Sequence, residues 1–215
     1  ARCGEEGTVT LRSDYGFYDV DYKLQGTPLV SILIPNKDQA DTLRTCLESI
    51  KKKCMYPSYE ILIIENNSTE EATFSYYKEL EAQGIRVLKY PKQGFNYSAI
   101  NNFGVKEAKG EYLLFLNNDM EIITPDFIEK MVSNLQRPQI GAVGAKLYYP
   151  DDTIQHAGVI MGINGSAGHS HKSYPRTAVG DMYRLVTTQN YMAVTGACLM
   201  TKASLYRAFG GLDEE

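Results

Sequence analysis

From Pro28 onward, short apolar runs alternate with segments whose apolar residues recur every three or four positions. The runs are Leu29–Pro35 (LVSILIP), Glu60–Ile64 (EILII), Ile85–Lys89 (IRVLK) and Tyr112–Leu116 (YLLFL). Each is rich in β-branched or bulky residues and too short for a buried helix, so the four predict core strands. Between them, Leu43, Cys46, Leu47 and Ile50 fall at helical spacing. Ser68 and Glu71 form a capping box ahead of a helix bearing Ala72, Tyr76 and Leu80. Asn96 caps a helix carrying Ala99, Ile100 and Phe103, with Gly110 closing it. Thr124-Pro125 opens another, with Phe127, Ile128, Met131, Val132 and Leu135 on one face. Strand and helix thus alternate every ~25–30 residues, the rhythm of a parallel, doubly wound α/β sheet.

The rhythm breaks after residue 140. Ala142–Tyr149 and Val194–Met200 read as strands and Ala203–Phe209 as a short helix. Ala157–Asp181, with five glycines and little periodicity, reads as a functional loop. Residues 1–27 are polar, with Tyr15, Tyr18 and Tyr22 among Gly and Asp, and read as an extension; residues 28–215 read as the main domain.

The 215 residues are 43% hydrophobic and 22% charged, enough for a real core and against global disorder. A net charge of −4 argues against wholesale nucleic-acid binding, so no nucleic-acid partner is expected. Cys3, Cys46, Cys54 and Cys198 show neither C-x-x-C pairing nor His at zinc-finger spacing, and are too few for a disulfide scaffold. A reducing cytoplasm follows as the expected compartment. No apolar run approaches the ~20 residues that span a bilayer, and Ala1-Arg2-Cys3 opens no signal peptide. The absent initiator Met and the abrupt end at Gly210-Gly211-Leu212-Asp213-Glu214-Glu215 lead us to expect a fragment of a longer protein.

In an open parallel sheet, ligands sit beyond the carboxyl ends of the strands, so the residues there carry the functional question. They are Pro35-Asn36-Lys37-Asp38, Glu65-Asn66-Asn67-Ser68, Pro91 to Asn96, and Asn117-Asn118-Asp119. Glu65 suits the imide N–H of uracil or thymine, and equally suits the N-terminus of the following helix. Asp119, at the end of a buried strand, suits Mg²⁺ or Mn²⁺, although Asn and Asp are also common in plain turns. With one clear carboxylate, the metal would lean on substrate phosphates. Glu121 reads as solvated or as part of the approach to the following helix. His156, His169 and His171 lack a third spaced ligand and read as loop or substrate contacts. There is no Walker A, G-x-S-x-G or H-E-x-x-H, and Gly162, Gly165 and Gly168 form no dinucleotide fingerprint.

Taken in order, six stretches resemble inverting family 2 glycosyltransferases of the GT-A fold, a Rossmann-like, mostly parallel sheet flanked by helices. They are Val30–Asn36, Glu60–Thr69, Gly94–Gly104, Gly110–Asp119, and Thr195–Met200 with Gly210–Glu214. The likeness covers residues 29–215. It is similar in particular to enzymes of bacterial surface polysaccharides, rhamnosyltransferases among them. The resemblance implies that Pro35 and Asn36 border the nucleoside pocket and that Glu65, where many relatives have Asp, contacts the base. Asn67, Asn101, Asn117 and Asn118 would lie on the donor side. Asp119, at the D-x-D position, would bind Mn²⁺ or Mg²⁺ on the diphosphate. Asn at the first position of that motif departs from the family pattern. His169, His171 and Gly196 would belong to the acceptor-side loop. The family's catalytic base follows the Gly-Gly-Leu-Asp-Glu motif, so it is expected beyond Glu215. Asp213 matches the preceding motif instead. The fragment is therefore expected to bind donor and transfer poorly.

The resemblance implies transfer of a sugar from a UDP- or dTDP-linked donor to a glycan or lipid-linked acceptor. It would act in the cytoplasm, with peripheral association at the inner face of the membrane. A nucleotidyltransferase is the first rival, although no Gly-rich triphosphate loop follows the first strand. A non-catalytic nucleotide- or sugar-binding domain is the second.

Overall fold

The computed structural model describes residues 4–11 and 16–215; residues 1–3 and 12–15, Cys3 and Tyr15 among them, and the side chain of Asn164 lie outside the described residues. In chain order the elements begin with β1 (Gly7–Leu11), β2 (Tyr18–Tyr22), β3 (Val30–Asn36), α1 (Ala40–Lys53), β4 (Tyr59–Glu65), α2 (Glu71–Ala82) and β5 (Arg86–Lys89). They continue with α3 (Tyr97–Glu107), β6 (Tyr112–Leu116), α4 (Phe127–Leu135), β7 (Ala142–Gly144), β8 (Leu147–Tyr148) and β9 (Ile154–His156). The last are β10 (Val159–Met161), β11 (Ala167–His169), β12 (Cys198–Lys202) and α5 (Ala203–Ala208). The chain divides into two compact units, Gly26–Glu129 with Gly196–Glu215, and Ala1–Gln25 with Lys130–Thr195.

The first unit carries the sheet. Its strands run in the order β5-β4-β3-β6-β12, with β5, β4, β3 and β6 parallel and β12 antiparallel to β6. Helices cover both faces of such a sheet, so its strands need no polar alternation. Val30, Ile32, Leu33, Ile34, Leu62, Ile63 and Ile64 accordingly have no solvent exposure. α3 and α5 pack a core of Leu33, Ile64, Ile100, Leu113, Phe115 and Tyr206. This is the mostly parallel α/β sheet that the periodicity predicts.

The second unit is built of short antiparallel pairs. β1 pairs with β2 from Gly7–Tyr22 to Leu11–Tyr18. The hairpin's base is held by Arg137, which pairs with Glu5 at 3.1 Å and stacks 4.1 Å over the Tyr22 ring. β8 pairs with β9, and β10 with β11.

Several local expectations shift. The capping box fails: Glu70 occupies the cap of α2 without a side-chain bond, and the buried face is Thr73, Tyr76, Tyr77 and Leu80 while Ala72 is exposed. α3 ends at Glu107, so Gly110 does not close it. Gly110 is instead a close approach: its N–H donates to Ser31 Oγ at 2.8 Å, and a Cβ would sit 2.5 Å from Ser31 N. The 142–149 strand is two, β7 and β8, and β12 starts four residues later than the apolar run predicts. The loop 157–181 contains the β10–β11 hairpin, whose three-residue strands are too short to announce a period.

Candidate functional site

Pro35 sets where the sheet opens. It has no N–H to donate, and the β3–β6 ladder stops at Leu33–Phe115 while the β3–β4 ladder runs on to Asn36–Glu65. β6 turns to its other neighbour, with Asn117 N donating to Ala197 O at 3.0 Å. Side chains then rejoin the tips. Asn118 Nδ2 donates to Asn36 Oδ1 at 2.6 Å, and Asn36 Nδ2 donates to the Tyr77 hydroxyl at 2.7 Å and to Asp38 O at 2.9 Å. The Tyr77 hydroxyl lies 3.3 Å from Ser68 Oγ, and Ser68 N donates to Glu65 Oε1 at 2.5 Å. One chain of hydrogen bonds thus runs from Asn118 to Glu65 across three strand tips. Burial raises the Tyr77 phenol above its ordinary value and keeps the hydroxyl protonated within that chain. A buried polar network satisfied in this way fixes its members in one arrangement.

Asp38 does what the capping box was expected to do. Its Oδ1 accepts from Glu70 N at 2.9 Å and Thr69 N at 2.7 Å. Those two bonds hold its carboxyl below the usual range, and they fasten the start of α2 to the tip of β3. Asn67 ties the next pair of tips, accepting from Gly94 N at 3.1 Å and donating to Lys92 O at 3.2 Å. Beside this network is a cavity of about 230 Å³ lined by Glu65, Asn67, Ser68, Thr69, Phe74, Lys89 and Gln93. Glu65 and Lys89 are register partners on adjacent parallel strands, so carboxylate and ammonium leave the same face.

The sequence-predicted residues separate into groups. Asn36, Glu65, Asn67 and Asn118 join one edge; Asn36 is 2% exposed with both amide atoms engaged, so it acts by placing Asn118 and Tyr77. Asn117 is half-buried and Asp119 exposed at the end of β6. Asn101 is fully buried on α3; its Nδ2 donates to Tyr97 O at 2.9 Å, and its Oδ1 has no partner. Gly196 accepts the Tyr97 hydroxyl at 2.8 Å, a contact that a Cβ there would crowd at 2.7 Å. Burial pushes the Tyr97 phenol up to about 12, so it stays a donor.

His169 and His171 belong to the second unit. His169 Nδ1 pairs with Gln155 O at 2.8 Å and its ring meets that of His156, with centroids 4.8 Å apart. His171 Nδ1 lies 2.6 Å from Ser170 Oγ.

Among the described residues no group of three or more His, Cys, Asp and Glu is placed to hold a metal. One exposed carboxylate beside an asparagine fits a hard divalent cation that takes its other ligands from a substrate's phosphates, and does not fit a protein-only cage.

α3 also fastens the segment after α5. Asn96 caps the helix through Ala99 N at 2.9 Å and donates to Glu214 O at 2.9 Å. Asn102 Nδ2 donates to Leu212 O and to Glu214 Oε1, while its Oδ1 accepts from Leu212 N at 2.9 Å and Tyr206 OH at 2.5 Å. Gly211, at φ +95°, lets the segment come against the Asn102 amide, where any Cβ would collide.

The family model described as glycosyl transferase family 2 matches residues 31–207. The chain belongs to that family. It is 41% identical over its full length to the O-antigen biosynthesis protein RfbC of Myxococcus xanthus, of which it covers 17%. It is 45% identical over 92% of its length to the uncharacterized protein y4gI of Sinorhizobium fredii, of which it covers 22%. The chain therefore spans about a fifth of the length of these relatives.

Among solved structures, the mannosyltransferase PcManGT from Pyrobaculum calidifontis, in complex with GDP-Man and Mn²⁺, superposes with a TM-score of 0.63 at 17% identity. The match covers 88% of this chain and 49% of that one. TarS 1-349 of S. aureus gives 0.54 at 14% identity, covering 86% and 50%. These likenesses establish the GT-A fold for this family 2 glycosyltransferase domain.

Sequence reasoning missed Tyr77 and Phe74 as members of this edge, named Asp38 there without its hold on the start of α2, and did not single out Asn102 as the anchor of the segment after α5. Asp38 follows a strand tip and Asn102 lies within a family stretch, so both carried a signal; the two aromatics of α2 carried none beyond helical spacing.

Proposed function

We propose that this domain binds a nucleotide-diphosphate sugar at the carboxyl edge of β3, β4 and β6 and transfers the sugar with inversion. The acceptor is a glycan or lipid-linked glycan of a bacterial surface polysaccharide. The observation that carries the reading is the single hydrogen-bonded edge from Glu65 to Asn118, with the cavity at one end and Asp119 just past the other. The relative's part in O-antigen biosynthesis supports the polysaccharide setting. Glu65 accepts the imide N–H of uracil or thymine in the cavity, which favours a UDP- or dTDP-linked donor. Asn118, fixed by Asn36, holds the sugar–diphosphate in line along the edge. Asp119, with Asn118 and Asn117 beside it, holds the divalent cation. Bound there, Mn²⁺ or Mg²⁺ supplies Lewis-acid neutralisation of charge on the departing phosphate. The acceptor hydroxyl attacks the anomeric carbon from the face opposite the nucleoside diphosphate, whose bond to that carbon breaks as it departs; the hydroxyl's proton passes to a base that is none of the carboxylates described above.

The test is the melting temperature with UDP, dTDP or GDP in the presence of Mn²⁺, since a ligand bound only by the folded state raises it. A uridine or thymidine diphosphate should raise it in the wild type, and Asp119→Ala should abolish the Mn²⁺-dependent part. No shift with any nucleotide would overturn the reading.

A further inference from the structure

The cavity beside Glu65 has polar walls and one large apolar one. Phe74, on the first turn of α2, is 40% exposed and lines it together with Glu65, Lys89 and Gln93. An exposed phenyl ring is common enough singly, but here it faces a concave space whose other groups are a carboxylate, an ammonium and amides. Its position is fixed from two sides. Phe74 N donates to Glu70 O, and Glu70 N is itself held by Asp38, so the turn that carries the ring is anchored to the tip of β3. The ring also meets Tyr77 edge-on, with centroids 6.2 Å apart at 80°, and the Tyr77 hydroxyl belongs to the network that fixes Glu65. The apolar face and the carboxylate are therefore anchored to one connected network, the first through Asp38 and Tyr77 and the second through Ser68.

We infer that Phe74 is the stacking wall of the nucleobase pocket: the base lies flat on its ring, with its imide N–H on Glu65 and a flanking carbonyl towards Lys89. The inference rests on the nucleotide-sugar reading and adds to it a residue outside the family motifs. Each group takes the part its chemistry allows. A π face recognises any base and supplies affinity; the carboxylate and ammonium, side by side on β4 and β5, match a donor next to an acceptor on the base edge.

The chain contains no Trp, so Phe74→Trp creates a single fluorescent reporter in the cavity. Two probes, each with Mn²⁺, separate base from phosphate: UDP, and inorganic pyrophosphate, which has no base. Phe74→Ala should weaken UDP about 5- to 150-fold, the range for loss of one base–aromatic stack, and leave pyrophosphate unchanged. Phe74→Trp should keep UDP affinity and lose emission on adding UDP but not pyrophosphate. Retained pyrophosphate binding by Phe74→Ala also shows that the variant is folded. UDP binding by Phe74→Ala as tight as wild type, equal weakening of both probes, or an unquenched Trp would overturn the stacking role while leaving the proposed function standing. Failure of wild type to bind either UDP or dTDP would overturn both.

Discussion

The two compact units are built on different principles. In Gly26–Glu129 with Gly196–Glu215, strands of four to seven residues lie in one sheet, and the interior positions of β3 and β4 have no exposure. In Ala1–Gln25 with Lys130–Thr195, β1–β2, β8–β9 and β10–β11 are two-stranded ladders of two to five residues. In β1–β2 and β10–β11 apolar side chains are partly in water, with Val9 60% exposed, Leu11 58% and Met161 53%, whereas Leu147 and Ile154 of β8–β9 are buried. A two-stranded ladder has little independent stability, so these hairpins depend on particular contacts such as the Arg137 anchor and the buried His156. The lesson is where precision comes from. The sheet unit places its polar edge on strands that hydrophobic burial makes rigid, whereas the other unit carries His169 at the end of the three-residue, largely exposed strand β11 and His171 just after it.

The sharpest way to break that contrast is a pair of truncations. Phe115→Ala, in the sheet core against Tyr206, should cost about 3–5 kcal/mol in urea unfolding, whereas Ile160→Ala on β10 should stay within about 0.5 kcal/mol. A comparable loss at Ile160 would show that β10 is held by packing as demanding as the sheet core.

Next in size is a pH effect confined to the hairpin unit. Burial, reinforced by His169, lowers the His156 pKa to about 4. The unfolded chain titrates that imidazole near its ordinary value, so between the two pH values the unfolded state holds more protons and stability rises with pH. His156 should thus contribute up to roughly 3 kcal/mol above pH 6.5, lost progressively as pH falls towards 4. Unfolding free energies of His156→Gln across that window should lack this slope; an unchanged slope would assign it to other groups.

The smallest effect sharpens the sheet side. Asn102→Ala removes the amide that holds Leu212, Glu214 and Tyr206, and should cost about 1–2 kcal/mol. Hydrogen exchange at the Leu212 amide should accelerate well beyond that at the β3 amides. Equal acceleration everywhere would mean that the strap is part of the core rather than fastened to it.

Much of the sheet was legible because burial on both faces writes itself as continuous apolar runs, and β3, β4, β5 and β6 fall within about one residue of those runs. The Asn96 cap was legible because the bond is local, three residues long. The α2 cap was not, because its acceptor is Asp38, 31 and 32 residues away from the amides it binds. The same distance hid Tyr77: helical spacing put its ring in the core, but nothing local tied its hydroxyl to Asn36, 41 residues earlier. Asn36 shows the converse. The motif placed it at the donor edge, and the structure shows both of its amide atoms bound to protein.

By itself, the order of apolar runs, helical periods and polar strand ends determined the α/β class, the parallel core and the polar edge at the strands' carboxyl ends. Those properties follow from backbone periodicity and burial, which each short stretch expresses alone. Only the tertiary structure decided which polar groups join: Asp38 with the start of α2, Tyr77 with Asn36, Asn102 with the Leu212 strap, and Phe74 with the cavity beside Glu65. A hydrogen bond or a shared wall between distant residues is fixed by the folded positions of both partners, and neither partner's local sequence encodes the other.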